Sequence, residues 1–457
     1  MRVRLGIFIF AFWVLPSAFA QNPPALPPPI QLVVPEGQAA PPPVITLQDA
    51  LDRAKINDLQ FLSAVTDAQI AREDVLQAKN SLRPTVSSAW GYFGTQGDGL
   101  TPNGRYVTTD GVHVYRAWAV AHEDLSPNNV FRTGYRRAQA TEALANARIE
   151  IAQRGLTVTV TRNYYALVTS QRKYATAQQS AQTAARFLDI AQQQENVGQV
   201  AHADVVKAQI QYEQQNQIFE EALLAMQNAR LNLAVLLFPT LNENFTVVDD
   251  LASAQMLPPF PDIRVMAERQ NPDLRVAEET VRQAGLDVSS ARYARLPSLT
   301  IDANYGLEAN ALKLHAVQAA QPQFGPLPTL GYYIVGSLNV PIWDWGTQRS
   351  KVRQAQFREQ QARVQLTQAQ RQLLSNLYAF YNEAMVARSA VDRLRRAADL
   401  ATESLRLITL RYQAGESTAL EVVDAQNTLV QSRNAFDDAQ ARYRNALANL
   451  QTVTGNF

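Results

Sequence analysis

The sequence predicts an α+β membrane protein, laid down twice in tandem, in which amphipathic strands stand on very long helical rods. Three observations predict it. Residues 129–196 and 346–413 each run without a proline and with no more than two glycines. Four short segments alternate apolar and polar residues with the period of a strand. One plan of helix, strand, loop, strand, long helix, turn and helix recurs at an offset of 213 to 217 residues. An offset that long indicates duplication of a whole structural half, not a short-period solenoid.

Residues 1–20 read as a secretory signal peptide, with Arg2 and Arg4, an apolar centre from Leu5 to Leu15, and the small-x-small site Ala18-Phe19-Ala20. Its removal takes two arginines from a chain of formal charge +1. The mature chain is then near neutral, and charge gives no case for nucleic acid as a partner. With no cysteine present, disulfides, thiolate metal sites, a cysteine nucleophile and a lipidated N-terminal cysteine are excluded. Beyond the signal no apolar run reaches the length of a membrane helix, so any span in the mature chain is β. Residues 21–45 form a Pro-rich linker, extended and polyproline-like. It reads as a spacer, with partner binding as the alternative.

The first repeat covers residues 46–238. A helix over about 47–82 ends at Leu82-Arg83-Pro84, because proline cannot continue a helix and holds its predecessor extended. Strands follow at about 84–94 and 112–126, and Pro127 marks the switch back. A long helix (129–196) and a second helix (201–237) complete the copy. A linker at 239–261 leads to the second repeat, 262–457. There a helix over about 262–295 closes at Pro297, and strands follow at about 297–307 and 331–341. Pro341, a long helix (346–413) and a last helix (417–454) end the chain.

In the third strand Leu299, Ile301, Ala303, Tyr305 and Leu307 share one face, and Thr300, Asp302, Asn304 and Gly306 the other. In the fourth, Tyr332, Ile334, Leu338 and Val340 share a face. The first copy reads Val86, Trp90 and Tyr92, then Val112, Val114, Trp118 and Val120, with Arg116 interrupting and Ala119 and Ala121 opposite. A half-buried soluble sheet would alternate in the same way. The membrane reading is favoured by the export signal, by helices lying wholly outside the strand pairs, and by long loops at 94–111 and 308–330. Four strands cannot close a barrel, and lipid tolerates no open sheet edge. If these strands span a membrane, several chains share one barrel.

At about 1.5 Å per residue each long helix measures roughly 100 Å, too long for a compact domain. Leu394, Ala398, Ala401, Leu405, Ile408 and Tyr412 step by four and three, matched by Ala177, Ala181, Ala184, Leu188, Ala191 and Glu195. Such a repeat argues coiled-coil packing. Each rod ends at a glycine. ENVGQVAHADVVKAQ (195–209) and RYQAGESTALEVVDAQ (411–426) align Gly198 with Gly415, Asp204 with Glu421, Lys207 with Asp424, and Val205-Val206 with Val422-Val423.

These residues, with the proline-marked strand pairs and the duplicated plan, resemble the TolC-type outer-membrane efflux proteins over essentially all of 46–455. The resemblance implies a homotrimer whose twelve strands, four from each chain, form one outer-membrane β-barrel continuous with a long periplasmic α-helical coiled-coil barrel. It implies the exit duct of a tripartite efflux or type I secretion system. Substrate would pass from an inner-membrane pump and a periplasmic adaptor (membrane fusion) protein to the exterior. Outer-membrane lipid would surround the barrel, and no catalysis and no cofactor are implied. By position, Asp424 and Glu421 match acids ringing the tunnel entrance, Asp204 an acid of the first tip, and Tyr412 a tyrosine of the closing network. The family member compared has an arginine two residues after the glycine; this chain has Ser417 there, so its closed-state network differs. An ion pair between tips is open to Lys207.

Plainer readings stand beside these. Thr418-x-x-Glu421 is also a capping box, a role compatible with a tunnel-mouth position, whereas Asp424 has no capping role to explain it. Acids at a narrow mouth would repel anions and favour cations. Tyr412 also continues a heptad seam, which is packing. Trp343 and Trp345 either anchor the barrel at the periplasmic interface or pack beneath it. Residues 94–99 (GTQGDG) lack the lysine and helix start of a P-loop and read as a loop. His113, His122, His202 and His315 fall at no metal-ligand spacing, and no nucleophile elbow or dinucleotide fingerprint occurs. No catalytic, cofactor or metal residue is therefore predicted. The rival class is a periplasmic coiled-coil adaptor or scaffold, which would carry β-rich lipoyl-like modules around a single hairpin. The cargo leaves no trace: four histidines and five methionines give no metal-binding trail.

Overall fold

Local capping sets where each helix starts and stops. The computed structural model describes residues 42–95, 112–240, 244–253, 256–309, 314 and 330–455. The signal peptide, most of the Pro-rich linker, His315 and the bulk of both strand-connecting loops lie outside the described residues. A short strand, β1 (Val44–Ile45), leads into α1 (Leu47–Asn57), closed at its start by a capping box between Thr46 and Asp49. Next come α2 (Leu59–Asn80), β2 (Thr85–Thr95), β3 (Val112–Asp124), α3 (Pro127–Val130), α4 (Thr133–Asn196) and α5 (His202–Leu237). A second short strand, β4 (Thr246–Val247), opens the other half. It continues as α6 (Phe260–Gln270), α7 (Pro272–Tyr293), β5 (Ser298–Ala309), β6 (Leu330–Asn339), α8 (Thr347–Gln413) and α9 (Ala419–Thr454).

Each helix expected ahead of a strand pair is two helices, not one. Asp58 takes extended backbone and its carboxylate accepts from the Phe61 N–H at 2.7 Å. Asn271 does the same for Leu274 at 2.8 Å, with Pro272 at the first helical position. A side chain that caps the next helix ends the previous one. The pieces have 11 and 22 residues in both halves, and α5 and α9 have 36 each. Pro84 and Pro297 stand immediately before β2 and β5, Pro127 opens α3, and Pro341 follows β6. α3 separates from α4 at Arg132, whose φ of 55° is left-handed; Gly346, before α8, has φ 84°. For a non-glycine residue that conformation costs about 1–2 kcal/mol.

The sheet runs β2-β3-β5-β6, antiparallel throughout, so among the described residues β2 and β6 are its edges. Register sets the faces. Trp118 pairs with Gly306, His122 with Asp302 and Asn304 with Tyr333. Trp118 and Val120 therefore lie on the polar side with Arg116, His122, Asp302 and Asn304, not on the apolar side expected from their bulk. His122 Nδ1 and Asp302 Oδ1 are 2.6 Å apart there. The apolar side carries Val86, Trp90, Tyr305, Tyr332, Ile334 and Leu338, all exposed. Along its middle β3 gives it Tyr115, whose ring meets Tyr92, and then the small Ala117, Ala119 and Ala121. At Gly306 a Cβ would fall 2.0 Å from the Ala117 carbonyl oxygen.

α4 packs along α5, α2, α7 and α9, and α8 along α9 and α7. At about 1.5 Å per residue, the 64 residues of α4 and 67 of α8 span roughly 100 Å. None of the heptad-seam residues named above is exposed. Midway along the rods, β1 and β4 pair in parallel, and Tyr164, Tyr165, Phe245, Leu233 and Leu237 form a core against them. Among the described residues, no helix is long and apolar enough to cross a membrane.

Candidate functional site

Both rods end in the same hydrogen-bonded cap. In α4 the Gly198 N–H donates to the Glu195 carbonyl at 2.8 Å and the Gln199 N–H to the Gln194 carbonyl at 2.8 Å. In α8 Gly415 donates to Tyr412 at 3.0 Å and Glu416 to Arg411 at 2.8 Å. This is the Schellman pattern, which needs a left-handed residue. Gly198 (φ 75°) and Gly415 (φ 78°) supply it.

The chain then reverses and the two hairpins pack on each other. Phe187 and Ala191 of α4, Val205 and Ala208 of α5, Tyr412 of α8, and Ala419, Val422 and Val423 of α9 form one buried cluster. The aligned valine pairs are not equivalent: Val423 is buried and Val206 exposed. Tyr412 is 4% exposed and its ring lies 5.1 Å from Phe187. Its hydroxyl is buried and has no hydrogen-bond partner among the described residues. Burial, and then the charge of Asp204, push its phenol up.

The acids of the second tip differ in what holds them. The Ser417 hydroxyl donates to Glu421 Oε2 at 2.7 Å, the Thr418 hydroxyl lies 3.3 Å from Oε1, and Thr418 caps α9 by accepting from the Glu421 N–H. The Ser417 hydrogen bond, followed by those from Thr418 and the charge of Arg411, holds this carboxyl below its ordinary value. Ser417 thus has a role the sequence did not assign. The exposed Asp424 carboxylate makes no hydrogen bond or ion pair among the described residues, and Lys207 forms none with it. The pair open to Lys207 is not made within one chain. Asp204, half-buried, stands in the first turn of α5.

Three contacts went unpredicted. Gln211 and Gln215 of α5, both buried, donate to Asn427 Oδ1 of α9 at 3.0 and 3.3 Å. His202 Nδ1 and Glu195 Oε1 lie 2.7 Å apart across the Gly198 turn. Polar residues on the buried side of a helical repeat are the only sequence signal for the glutamines. At the other end of the rods, Trp343 and Trp345 are 74% and 89% exposed, and their rings meet each other at 5.6 Å. Among the described residues, no group of three or more potential metal ligands occurs.

Residues 263–456 match the family model described as outer membrane efflux protein. Over 90% of the chain, it is 23% identical to the outer membrane protein TolC of Vibrio cholerae, of which 91% is covered. It is 24% identical to the outer membrane efflux protein BepC of Brucella suis, over 90% of this chain and 86% of that one. The CmeC outer membrane channel of Campylobacter jejuni superposes with a TM-score of 0.76 at 18% identity, covering 90% of this chain and 85% of that one. The chain is similar to TolC-type outer-membrane efflux proteins in sequence and in fold. The open-state MtrE channel of Neisseria gonorrhoeae has the same fold, with a TM-score of 0.74 at 21% identity over 90% of this chain and 89% of that one. An outer-membrane efflux protein is an exit duct, and its family is one of channels rather than enzymes.

Proposed function

We propose that three copies of this efflux protein assemble into one duct, each giving four strands to a twelve-stranded outer-membrane barrel above a continuous helical tunnel. The observation that carries the reading is a four-stranded sheet with two open edges, β2 and β6, and an exposed apolar face. In lipid those edges must pair, and each can do so only with a neighbouring copy. The matched helix lengths and caps support duplication of one half. The duct takes substrate from a periplasmic adaptor and an inner-membrane pump, performs no catalysis and holds no cofactor. The chain lacks cysteine, so single cysteines introduced along β2 and β6 test the assembly. Disulfide-linked, heat-modifiable oligomers in the outer membrane are expected. A soluble periplasmic monomer would overturn the reading in favour of an adaptor or scaffold.

The tips of α4–α5 and α8–α9 close the periplasmic end. Asp424 and Glu421, both exposed, face the mouth and favour cations, with Asp204 below them; Tyr412 packs the tip shut. Reversal potentials of the reconstituted channel in a salt gradient test this. Asp424→Asn is expected to lower the cation preference several-fold, and an unchanged preference rejects the role.

A further inference from the structure

Where the rods meet the sheet, α4 and α7 enclose a cleft of about 390 Å³ lined by Val130, Phe131, Arg132, Arg136, Leu286 and Tyr293. Phe131 and Tyr293 stack with ring centres 4.5 Å apart and planes 21° apart, giving the cleft an apolar wall. Arg132 and Arg136 lie one helical turn apart, and neither has a carboxylate partner among the described residues. Their neighbour Arg137 is neutralised by Asp287 at 2.6 Å, and Gln283 donates to Thr141 at 3.2 Å. The α4–α7 contact thus has one side of satisfied polar pairs and one side where two free cations stand on apolar surface. The first suits water and the second suits the boundary between phosphate headgroups and acyl chains.

Position fits the same boundary. Arg132 follows the end of β3 closely, and Tyr293 closely precedes β5. Arg132 is also held in left-handed backbone where the second half uses Gly346. Glycine would relieve that strain, so an arginine there points to work for its side chain.

We infer that this cleft binds the phosphodiester headgroup of an anionic phospholipid in the periplasmic leaflet. The inference rests on the outer-membrane reading. Two guanidinium groups supply charge-assisted donors to the phosphate. Val130, Phe131, Leu286 and Tyr293 cover the glycerol and the first acyl carbons. The sheet above fixes the cleft at headgroup depth.

The test uses the full chain extracted from outer membranes in mild detergent and titrated with short-chain phosphatidylglycerol, phosphatidylcholine or inorganic phosphate, with bound lipid counted by native mass spectrometry. Phosphatidylglycerol is expected to bind about tenfold more tightly than phosphatidylcholine, weakening as salt rises. Arg132→Gly keeps the backbone and removes the charge, and Arg136→Gln removes the second cation. Each is expected to lose most of that preference while oligomer and conductance persist. Equal binding of the two lipids, unchanged binding in both variants, or phosphate competing as well as the lipid would overturn the inference. Wild type absent from the outer membrane would instead fail the duct reading, and presence there without lipid preference would fail the cleft alone.

Discussion

Arg172 and Asp249 meet through two parallel hydrogen bonds, Nε to Oδ2 at 2.6 Å and Nη2 to Oδ1 at 2.8 Å. The remaining Nη1 donates to Asp437 Oδ1 at 2.9 Å and Gln440 Oε1 at 2.7 Å. One side chain of α4 thereby ties the inter-repeat segment to α9. Burial pushes the Asp437 carboxyl up, opposed by Arg172, so removing the arginine strands a desolvated acid. Arg172→Leu is expected to destabilise the chain by about 2–3 kcal/mol. Arg406→Leu, whose partner Glu403 is exposed, should change stability by less than about 0.5 kcal/mol. Thermal unfolding followed by circular dichroism measures both, and equal shifts would refute the special weight given to Arg172.

Tyr164 predicts an alkaline limb. Its hydroxyl donates to the Val248 carbonyl at 2.6 Å, and burial, then the charge of Asp250, push its pKa up to about 12. Between its ordinary value near 10 and about 12 the folded chain holds a proton that the unfolded chain has lost. Its contribution is therefore complete below pH 10 and is lost as pH rises towards 12. Tyr164→Phe should lower stability at neutral pH by about 1 kcal/mol and flatten the decline above pH 10. Tyr165, also raised by burial, keeps part of the slope. A variant with an undiminished alkaline slope would count against this assignment.

What the sequence carried well was local chemistry. Proline before β2 and β5, glycine after α4 and α8, and the heptad seams depend on neighbours a few residues away, and each is visible without a tertiary model. The breaks at Asp58 and Asn271 are equally local: each residue caps the helix that follows it, and Asn271-Pro272 is a helix-start signal. The face of β3 was a different matter. Both of its faces are apolar enough to pass, and only pairing with β5 turns Trp118 towards Asn304 and leaves alanines on the other side. The Arg172 knot joins segments 77 and 265 residues distant, beyond any periodicity. At the tips the acids were legible as positions, but the Ser417 bond to Glu421 and the orphaned Tyr412 hydroxyl required coordinates.

Tyr412 separates packing from gating. A buried hydroxyl with no partner stabilises nothing within the chain, so Tyr412→Phe should be neutral or stabilising by up to about 1 kcal/mol. If packing alone closes the tip, basal conductance of the reconstituted channel also stays the same. Raised conductance with unchanged stability would mean that the hydroxyl bonds a neighbouring copy.

Glu421 predicts a pH signature. The Ser417 hydroxyl helps hold its carboxyl below the ordinary value of 4.5, so it stays charged to lower pH than a free glutamate. In an Asp424→Asn background, the remaining cation preference should persist as pH falls through 4.5. Adding Ser417→Ala should make it fade at higher pH. Coincident pH profiles from the two reversal-potential series would show that the hydroxyl does not tune the acid.

Gly306 tests the sheet. A Cβ there would lie 2.0 Å from the Ala117 carbonyl oxygen and 2.8 Å from the Trp118 Cα. Both obstacles are backbone of the paired strand and cannot yield without opening the β3–β5 ladder. At Gly336 on β6, among the described residues and apart from its own chain neighbours, nothing lies within 4 Å of the corresponding position. Gly306→Ala should therefore cost more than about 2 kcal/mol and sharply reduce the heat-modifiable oligomer, because every copy carries the same defect. Gly336→Ala removes the same backbone freedom without the clash and should assemble as wild type. Equal oligomer from both variants would place β5 in a different register against β3.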